Sequence, residues 1–211
     1  MLVAAANAVE TGGLTGFVLD VVRAVGEVGV ALLVLLEVVI PPIPSEVVLP
    51  FAGALVADGR FTAVGVIVAA TIGSVLGAQV LYEAARRAGE DRVTRWLAKV
   101  PLVDTDDVER GSEWFRRHGN TAVLTGRLVP GVRSVVSVPA GAQAMPRGRF
   151  ALLTALGSGV WNTALVAGGI ALGERWQTVE RWTGWLDVAM LAALAVVVVR
   201  LVLRRREHQP A

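Results

Sequence analysis

Four charged side chains lie within the most apolar parts of this sequence, and their types suggest the binding of an anion. Glu37 and Glu46 flank one proline-rich stretch, and Arg127 and Arg133 flank a second break at Pro130. A guanidinium group presents a planar fork of donors that suits carboxylate or phosphate. A carboxylate in apolar surroundings can take up and release a proton. The four residues therefore predict a site that holds an anionic group on arginine and exchanges a proton on glutamate.

A structural role for the same four residues is the alternative, in which they form ion pairs that lock two segments together. One charge at the bilayer centre costs about 2.5–3.5 kcal/mol on insertion scales, so we expect all four to face inward rather than toward lipid. A buried ion pair adds little net stability compared with packed apolar residues. That comparison favours the functional interpretation.

The composition indicates an integral membrane protein. The chain has 211 residues, of which 54% are hydrophobic and 18% charged, with a mean hydropathy of +0.60 and a formal net charge of +2. It contains no cysteine, which removes disulfides, thiolate catalysis and cysteine-ligated metals. We expect no cofactor, no metal and no nucleic-acid partner, and we interpret the basic run Arg204–Arg206 as a topology and headgroup anchor.

Enzyme activity is not expected. The two histidines, His118 and His208, fall in a surface helix and in the tail, far from the segments that carry the four charges. The sequence contains neither a His-Glu-x-x-His nor a Gly-x-Ser-x-Gly motif. A lipid-phosphate phosphatase or an intramembrane protease is therefore disfavoured.

The elements that must position the first pair of charges are too short to cross a membrane. Val28 to Ile40 is a run of 13 residues, which as a helix rises about 20 Å, short of the roughly 30 Å hydrocarbon core. A shorter apolar run, Val47 to Ala57, follows at once. We predict a re-entrant hairpin over residues 28–57, broken at depth by three prolines. These are Pro41, Pro42 and Pro44.

The second pair of charges lies in a similar arrangement later in the chain. A transmembrane helix over 61–85 and cytoplasmic interfacial helices over 86–118 precede it, and the basic cluster that begins at Arg86 sets their side of the membrane. We predict a second re-entrant hairpin over 121–144, broken at Pro130 and Gly131, with a further break at Pro139. Transmembrane helices over 150–172 and 185–203 complete the chain and leave a cytoplasmic C-terminus.

The two halves therefore predict an inverted repeat. Each half has a broken hairpin followed by a span, and the hairpins open from opposite sides, as in transporters with midplane sites. Their exits are also similar, Pro50-Phe-Ala-Gly-Ala54 and Pro139-Ala-Gly-Ala142. The expected fold is an all-α polytopic membrane protein that forms a single membrane domain over 1–211, with amphipathic interfacial helices and an additional C-terminal span.

The motifs Glu37 to Glu46 with Pro-Pro-Ile-Pro-Ser, Phe-Ala-Gly53, and Gly126-Arg-Leu-Val-Pro-Gly-Val-Arg133 with Ala-Gly141 resemble the DedA family. This family is also called the SNARE-associated or VTT-domain family, and the resemblance runs from about residue 28 to residue 203. It implies an inner-membrane protein that supports the cell envelope. Several bacterial members are implicated in returning undecaprenyl phosphate across the membrane, and eukaryotic relatives resemble phospholipid scramblases.

The resemblance implies that function depends on the acids Glu37 and Glu46 and on the arginines Arg127 and Arg133. Our hypothesis is that the two arginines bind the lipid phosphate and that the two glutamates provide charge or proton coupling. In another branch of the family the second acid is an aspartate that lies further from the first, whereas here it is Glu46, directly after Ser45. The expected function is a flippase for a polyprenyl phosphate in the cytoplasmic membrane, with protons as a candidate coupling ion. The alternatives are a proton-dependent small-ion or drug transporter, a general phospholipid scramblase, and a membrane organiser that transports nothing. The sequence leaves the oligomeric state and the side of the N-terminus open.

Overall fold

The computed structural model describes residues 14–39, 45–97, 105–130 and 132–173. Within these ranges the chain is all-helical and contains no strand, which confirms the expected all-α class for this part of the protein. The helices are α1 Leu14–Val25, α2 Glu27–Val39, α3 Ser45–Ala57, α4 Ala63–Ala88, α5 Glu90–Leu97, α6 Thr105–Gly126, α7 Val132–Val135, α8 Ser137–Ala142 and α9 Arg147–Leu172. The expected breaks at Pro41, Pro42, Pro44 and Gly131 lie outside the described residues, as do the span expected over 185–203 and the tail that contains His208.

Two of these helices, α4 and α9, are long and apolar enough to cross a membrane. Each has 26 residues, or about 39 Å at the usual rise per residue. Large apolar side chains recur along their exposed faces at helical spacing. These are Val64, Val68, Ile72, Leu76 and Val80 on α4, and Leu152, Leu156 and Val160 on α9. Such stripes suit contact with acyl chains.

The start of α4 is fixed by a network of side-chain hydrogen bonds to the start of α2. The hydroxyl of Thr62 accepts a hydrogen bond from the Gly65 amide at 3.1 Å, which caps the helix. The carboxylate of Glu27 in turn accepts from the Thr62 amide at 3.1 Å and from the Thr62 hydroxyl at 3.0 Å. Glu27 therefore ties the first turn of α2 to the first turn of α4.

Four other helices pack on α4 and α9 in a reciprocal pattern. Helix α2 packs against α4, and α3 packs against α9. Helix α6 packs against α9, and α8 packs against α4. Glycine allows the closest approaches, because a Cβ built on Gly53 of α3 would overlap the carbonyl oxygen of Val166, and one on Gly141 of α8 would overlap that of Tyr82. Each short helix that follows a proline-rich segment therefore contacts the long helix of the other half.

The buried faces of α4 and α9 correspond at one constant sequence offset. Seven buried positions of α4 each have a buried counterpart in α9. The pairs are Val66 with Phe150, Ala70 with Thr154, Gly73 with Gly157, Ser74 with Ser158, Ala78 with Asn162, Tyr82 with Val166, and Ala85 with Gly169. The two long helices therefore present equivalent faces to the rest of the protein.

The end of α6 lies earlier than the break expected at Pro130. Arg127 still donates its amide to Val123 as in an α-helix, but Leu128 donates to Thr125 and Val129 to Gly126, three residues back. This tightening is the usual way in which a helix ends. Pro139, where we expected a further break, instead lies in the first turn of α8, where a missing amide hydrogen is tolerated.

Candidate functional site

Three of the four charged residues predicted from the sequence meet at one point. Arg133, in α7, donates a hydrogen bond from its Nη2 to the Oε1 of Glu37 in α2. The same Nη2 lies 3.4 Å from the Oε1 of Glu46 in the first turn of α3. Side-chain exposure is 15% for Arg133 and 9% for Glu37, but 41% for Glu46. One guanidinium group is therefore shared between a buried carboxylate and a half-exposed one.

The fourth residue, Arg127, is buried without a carboxylate among the described residues. It is 2% exposed and donates a hydrogen bond from its Nη2 to the hydroxyl of Ser137 at 2.8 Å. Its guanidinium carbon lies 5.6 Å from the ring centroid of Phe150, a geometry in which the aromatic face attracts a cation. Its Nε has no partner in the described part of the chain. The ion-pair interpretation therefore fits Arg133 but not Arg127.

A small central pocket brings these groups together with polar residues of the long helices. Its lining consists of Val34 and Glu37 from α2, Ser74 from α4, Arg127 and Arg133, and Ser158, Trp161 and Asn162 from α9. The space inside is about 10 Å³, enough for roughly one water molecule. The arrangement is therefore closed to any polyatomic anion, and an anion could enter only if the lining moved.

Five lining residues were not predicted from the sequence: Val34 and the four polar residues Ser74, Ser158, Trp161 and Asn162. Ser74 and Ser158 are 6% exposed, and the side-chain amide of Asn162 lies 3.4 Å from the Ser74 hydroxyl. The Nε1 of Trp161 is buried with no partner among the described residues. Each long helix contains one Gly-Ser pair in its buried face, Gly73-Ser74 in α4 and Gly157-Ser158 in α9. This repeated pair is the sequence pattern that could have identified the two serines.

The pocket is rich in hydrogen-bond donors that converge on a small volume. Arg127 and Arg133 provide guanidinium donors, Trp161 an indole N–H, and Ser74 and Ser158 hydroxyl groups. Such a set suits a tetrahedral oxyanion such as phosphate. Glu37 has a second carboxylate oxygen, Oε2, that is buried without a described partner. In this closed arrangement the carboxylate of Glu37 therefore accepts the hydrogen bond from Arg133 that an anionic ligand would otherwise accept.

The described lining of this pocket contains neither a histidine nor a group of possible metal ligands. Among the described residues, no three or more His, Cys, Asp or Glu side chains are grouped so that they could hold a metal ion. His118 lies at a kink in α6, where its ring stacks on Trp114, and it does not line the central pocket. The residues that do line it are suited to holding an anion rather than to breaking a bond.

Comparison with known proteins shows relatives that cover most of the chain. A protein of Lactococcus lactis subsp. cremoris named alkaline phosphatase-like protein is 37% identical over 199 residues, covering 90% of this chain and 92% of its own length. Undecaprenyl phosphate transporter A of Bacillus subtilis is 30% identical over 196 residues, covering 92% and 96%. Its counterpart of the same name in Staphylococcus aureus is 31% identical over 152 residues, covering 71% and 75%. No solved structure matches the chain.

The family model for the VTT domain matches residues 27–171. This range begins at the first residue of α2, ends one residue before the end of α9, and includes all four predicted site residues. The resemblance drawn from the acidic and arginine motifs is confirmed, and the two apolar long helices agree with a membrane protein. The chain belongs to the VTT-domain family, which is also called the DedA family.

Proposed function

We propose that this chain is a lipid transporter, not an enzyme, and that it moves a polyprenyl phosphate, undecaprenyl phosphate, across the cytoplasmic membrane in support of cell-envelope synthesis. The observation that carries the proposal is the buried guanidinium group of Arg127, which shares a donor-lined pocket with Arg133 but has no described carboxylate partner. A buried cation without an anion is costly, and a bound phosphate would offset that cost. Two relatives with undecaprenyl phosphate transporter names support this choice of lipid.

The proposed architecture is a single membrane domain over 1–211 built as an inverted repeat. Re-entrant hairpins over 28–57 and 121–144 open from opposite sides of the membrane. Spans over 61–85, 150–172 and 185–203 complete it, with interfacial helices over 86–118 and the C-terminus in the cytoplasm. The reciprocal packing of the short helices and the matched buried faces of α4 and α9 support a repeat.

The helix breaks give the charged residues their place in this architecture. We assign the breaks at membrane depth to Pro41, Pro42 and Pro44 in the first hairpin, and to Pro130 and Gly131 in the second. In support, α6 ends at Gly126, four residues before Pro130. Irregular backbone at depth is tolerated where it borders a polar cavity rather than lipid.

In the proposed mechanism a lipid phosphate competes with the glutamates for Arg133. When the pocket opens, the phosphate binds Arg127 and Arg133 through charge-assisted hydrogen bonds, and Glu37 is displaced. The isoprenoid tail stays in the lipid while only the headgroup crosses. Closure returns Glu37 and Glu46 to Arg133, which expels the phosphate on the other side. The two carboxylates therefore act as internal competitors of the ligand.

Proton coupling follows from this competition. A protonated Glu37 no longer attracts Arg133, so a proton on Glu37 favours the phosphate-bound arrangement and its loss favours release. We therefore expect faster transport at lower external pH, and we expect Glu37→Gln to remove most of that dependence. An unchanged pH profile in Glu37→Gln would contradict the coupling but would leave the arginine site intact.

The test is a flipping assay in proteoliposomes with undecaprenyl phosphate. Arg127→Gln and Arg133→Gln should each lower the rate at least about ten-fold, because each removes a charge-assisted contact worth roughly 1.5–3 kcal/mol. Arg60→Gln is the matched control, since Arg60 is exposed in the turn before α4 and lies outside the pocket. Parental rates in both pocket variants, with the protein folded and inserted, would refute the mechanism.

Three further measurements separate this function from its alternatives. Equal movement of ordinary fluorescent phospholipids would indicate a general scramblase. Stabilisation of the purified protein by soluble cations or drugs, but not by lipid phosphate, would indicate a small-ion or drug transporter. Joint loss of stability and function in the charge variants, without transport by the parent, would indicate a membrane organiser.

A further inference from the structure

A second cationic cavity lies outside the central pocket, beside the kink of α6. It is a groove of about 580 Å³ between residues 115–121 of α6, the loop 143–146 and the first turn of α9. The kink at His118 lies in its wall, where the backbone leaves the helical conformation with φ −124° and ψ 18°. A volume of this size is typical of sites that hold a small molecule or a headgroup.

The charge of the groove is predominantly positive. Arg116, Arg117 and Arg149 line it, and Glu90 is the carboxylate in its wall. Arg116 lies 4.0 Å from Glu90, and Arg117 pairs with Glu113, but all four of these side chains are at least 40% exposed. Exposed pairs of this kind contribute little and exchange readily for another anion.

Arg149 has the least compensated charge in the groove. It is exposed and has no hydrogen bond or ion pair to the described part of the chain. It also lies in the first turn of α9, where the helix dipole already favours an anion and disfavours a cation. An anion bound between Arg149 and Arg116 would compensate the charge of Arg149 and would also interact favourably with the dipole of α9.

The neighbouring residues indicate that the groove lies at the depth of the lipid headgroups. Trp114, one turn before His118 on α6, is 54% exposed, and tryptophan prefers the membrane–water interface. Tyr82 and Arg86, at the end of the long helix α4, both donate hydrogen bonds to the Met145 carbonyl oxygen in the groove's loop. The groove is therefore fixed to the basic end of α4, which the positive-inside rule assigns to the cytoplasmic side.

The groove also lies close to the central pocket along one helix. Thr121 lines the groove, and Arg127, six residues later, lines the pocket. On a continuous helix this separation is roughly 9 Å along the axis. A headgroup bound in the groove would therefore lie within roughly two helical turns of Arg127.

We propose that this groove binds the phosphate ester headgroup of a lipid in the cytoplasmic leaflet, as a docking site distinct from the central pocket. Arg116 and Arg149 make the principal contacts, and Arg117 contributes when it leaves Glu113. The assignment to the cytoplasmic leaflet rests on the topology of the proposed function. The binding itself requires no transport.

The test measures binding of short-chain phosphatidic acid to the full chain in nanodiscs of zwitterionic lipid, with the fluorescence of the protein's tryptophans as the readout. Arg116→Gln/Arg149→Gln should weaken binding at least ten-fold. Arg92→Gln/Arg95→Gln is the matched control, because both arginines are exposed on α5, outside the groove. It removes the same charge and should change the affinity less than three-fold.

Further variants keep the result interpretable. Arg116→Lys/Arg149→Lys retains the charge and should keep most of the binding. The groove substitutions should cause the same loss of at least ten-fold in an Arg127→Gln background, where the central pocket is weakened, so that failure of the transport mechanism and failure of this docking site give different results. Parental affinity in the groove double variant, or an equal loss in the control, would overturn the proposal. Inorganic phosphate that binds as tightly as phosphatidic acid would overturn the assignment to a lipid headgroup.

Discussion

Replacing Arg133 by glutamine should destabilise the protein more than removing either of its two partners. The change leaves the carboxylate of Glu37 buried, with 9% of the side chain exposed, and without an ion-pair partner among the described residues. Breaking a buried pair in this way costs about 3–5 kcal/mol, because the remaining charge has lost both water and its partner. We expect Arg133→Gln to lower the free energy of unfolding by an amount in that range.

The partners should differ from each other because their exposure differs. Glu46 has 41% of its side chain exposed and lies 3.4 Å from Arg133, so Glu46→Gln should cost at most about 1 kcal/mol. Glu37→Gln leaves Arg133 with Glu46 as a neighbour and an amide oxygen as an acceptor, so its cost should be about 1–3 kcal/mol. The expected order of destabilisation is therefore Arg133→Gln, then Glu37→Gln, then Glu46→Gln.

A double-mutant cycle tests the coupling directly. In Arg133→Gln/Glu37→Gln the only charge left at the contact is the half-exposed carboxylate of Glu46, so the double variant should be roughly 2–3 kcal/mol more stable than the sum of the single losses implies. The assay is equilibrium unfolding in mixed detergent micelles, followed by tryptophan fluorescence. Additive losses, or an Arg133→Gln variant as stable as Glu46→Gln, would refute the shared-guanidinium arrangement.

Three other changes test the pocket and the packing. Trp161→Phe removes the unpartnered indole N–H together with part of the ring system. It should weaken lipid phosphate binding about five- to ten-fold and lower the unfolding free energy by about 1 kcal/mol because the side chain becomes smaller; equal affinity would exclude Trp161 as a ligand donor. Gly141→Ala would force a Cβ against the Tyr82 carbonyl oxygen, and it should lower the free energy of unfolding by at least about 1–3 kcal/mol. The control is Gly148→Ala, which has open space around the new Cβ and should leave that free energy nearly unchanged. Tyr82→Phe removes the hydroxyl that donates to the Met145 carbonyl oxygen. It should lower the free energy of unfolding by about 1–3 kcal/mol in the same experiment. An unchanged free energy would mean that this hydrogen bond does not hold the loop 143–146 in place.

From the sequence we expected the four charges to face inward, toward water or toward each other, because a charge that faces lipid is costly, and the structure brings Glu37, Glu46 and Arg133 together. The run lengths were sufficient to predict short helices at α2 and α3, since each has 13 residues. Both inferences depend only on residue type and on the length of apolar runs, which can be read directly from the sequence. Neither requires knowledge of which helix face points inward.

The partner of Arg127 could not be predicted in the same way. Opposite charge suggested a glutamate, but the guanidinium group contacts the hydroxyl of Ser137 and the ring of Phe150. Those contacts depend on where α6 ends and how α8 is rotated against it, and both are set by tertiary packing rather than by local preference. Trp161 was missed for a related reason, since nothing in an apolar helix distinguishes a tryptophan that faces a pocket from one that faces lipid.

The central pocket also shows how the two halves of the chain differ. A Cβ built on Gly73 would overlap the carbonyl oxygen of Ala31, and one built on the equivalent Gly157 would lie close to that of Leu124. Three residues after Ala31 is Val34, and three residues after Leu124 is Arg127, and both line the pocket.

The proposed repeat therefore has valine in one half where the other has arginine. Two arginines in these positions would place like charges together in a poorly solvated space, which is costly. With valine in one position, Arg127 remains as a buried cation that an anion can compensate. In the proposed mechanism the carboxylates come from the half that lacks this arginine, so that Arg133 can release Glu37 and accept a phosphate without any change at Arg127. The same asymmetry would allow the proposed two-fold architecture to contain a single anion site, as the proposed carrier of one headgroup at a time requires.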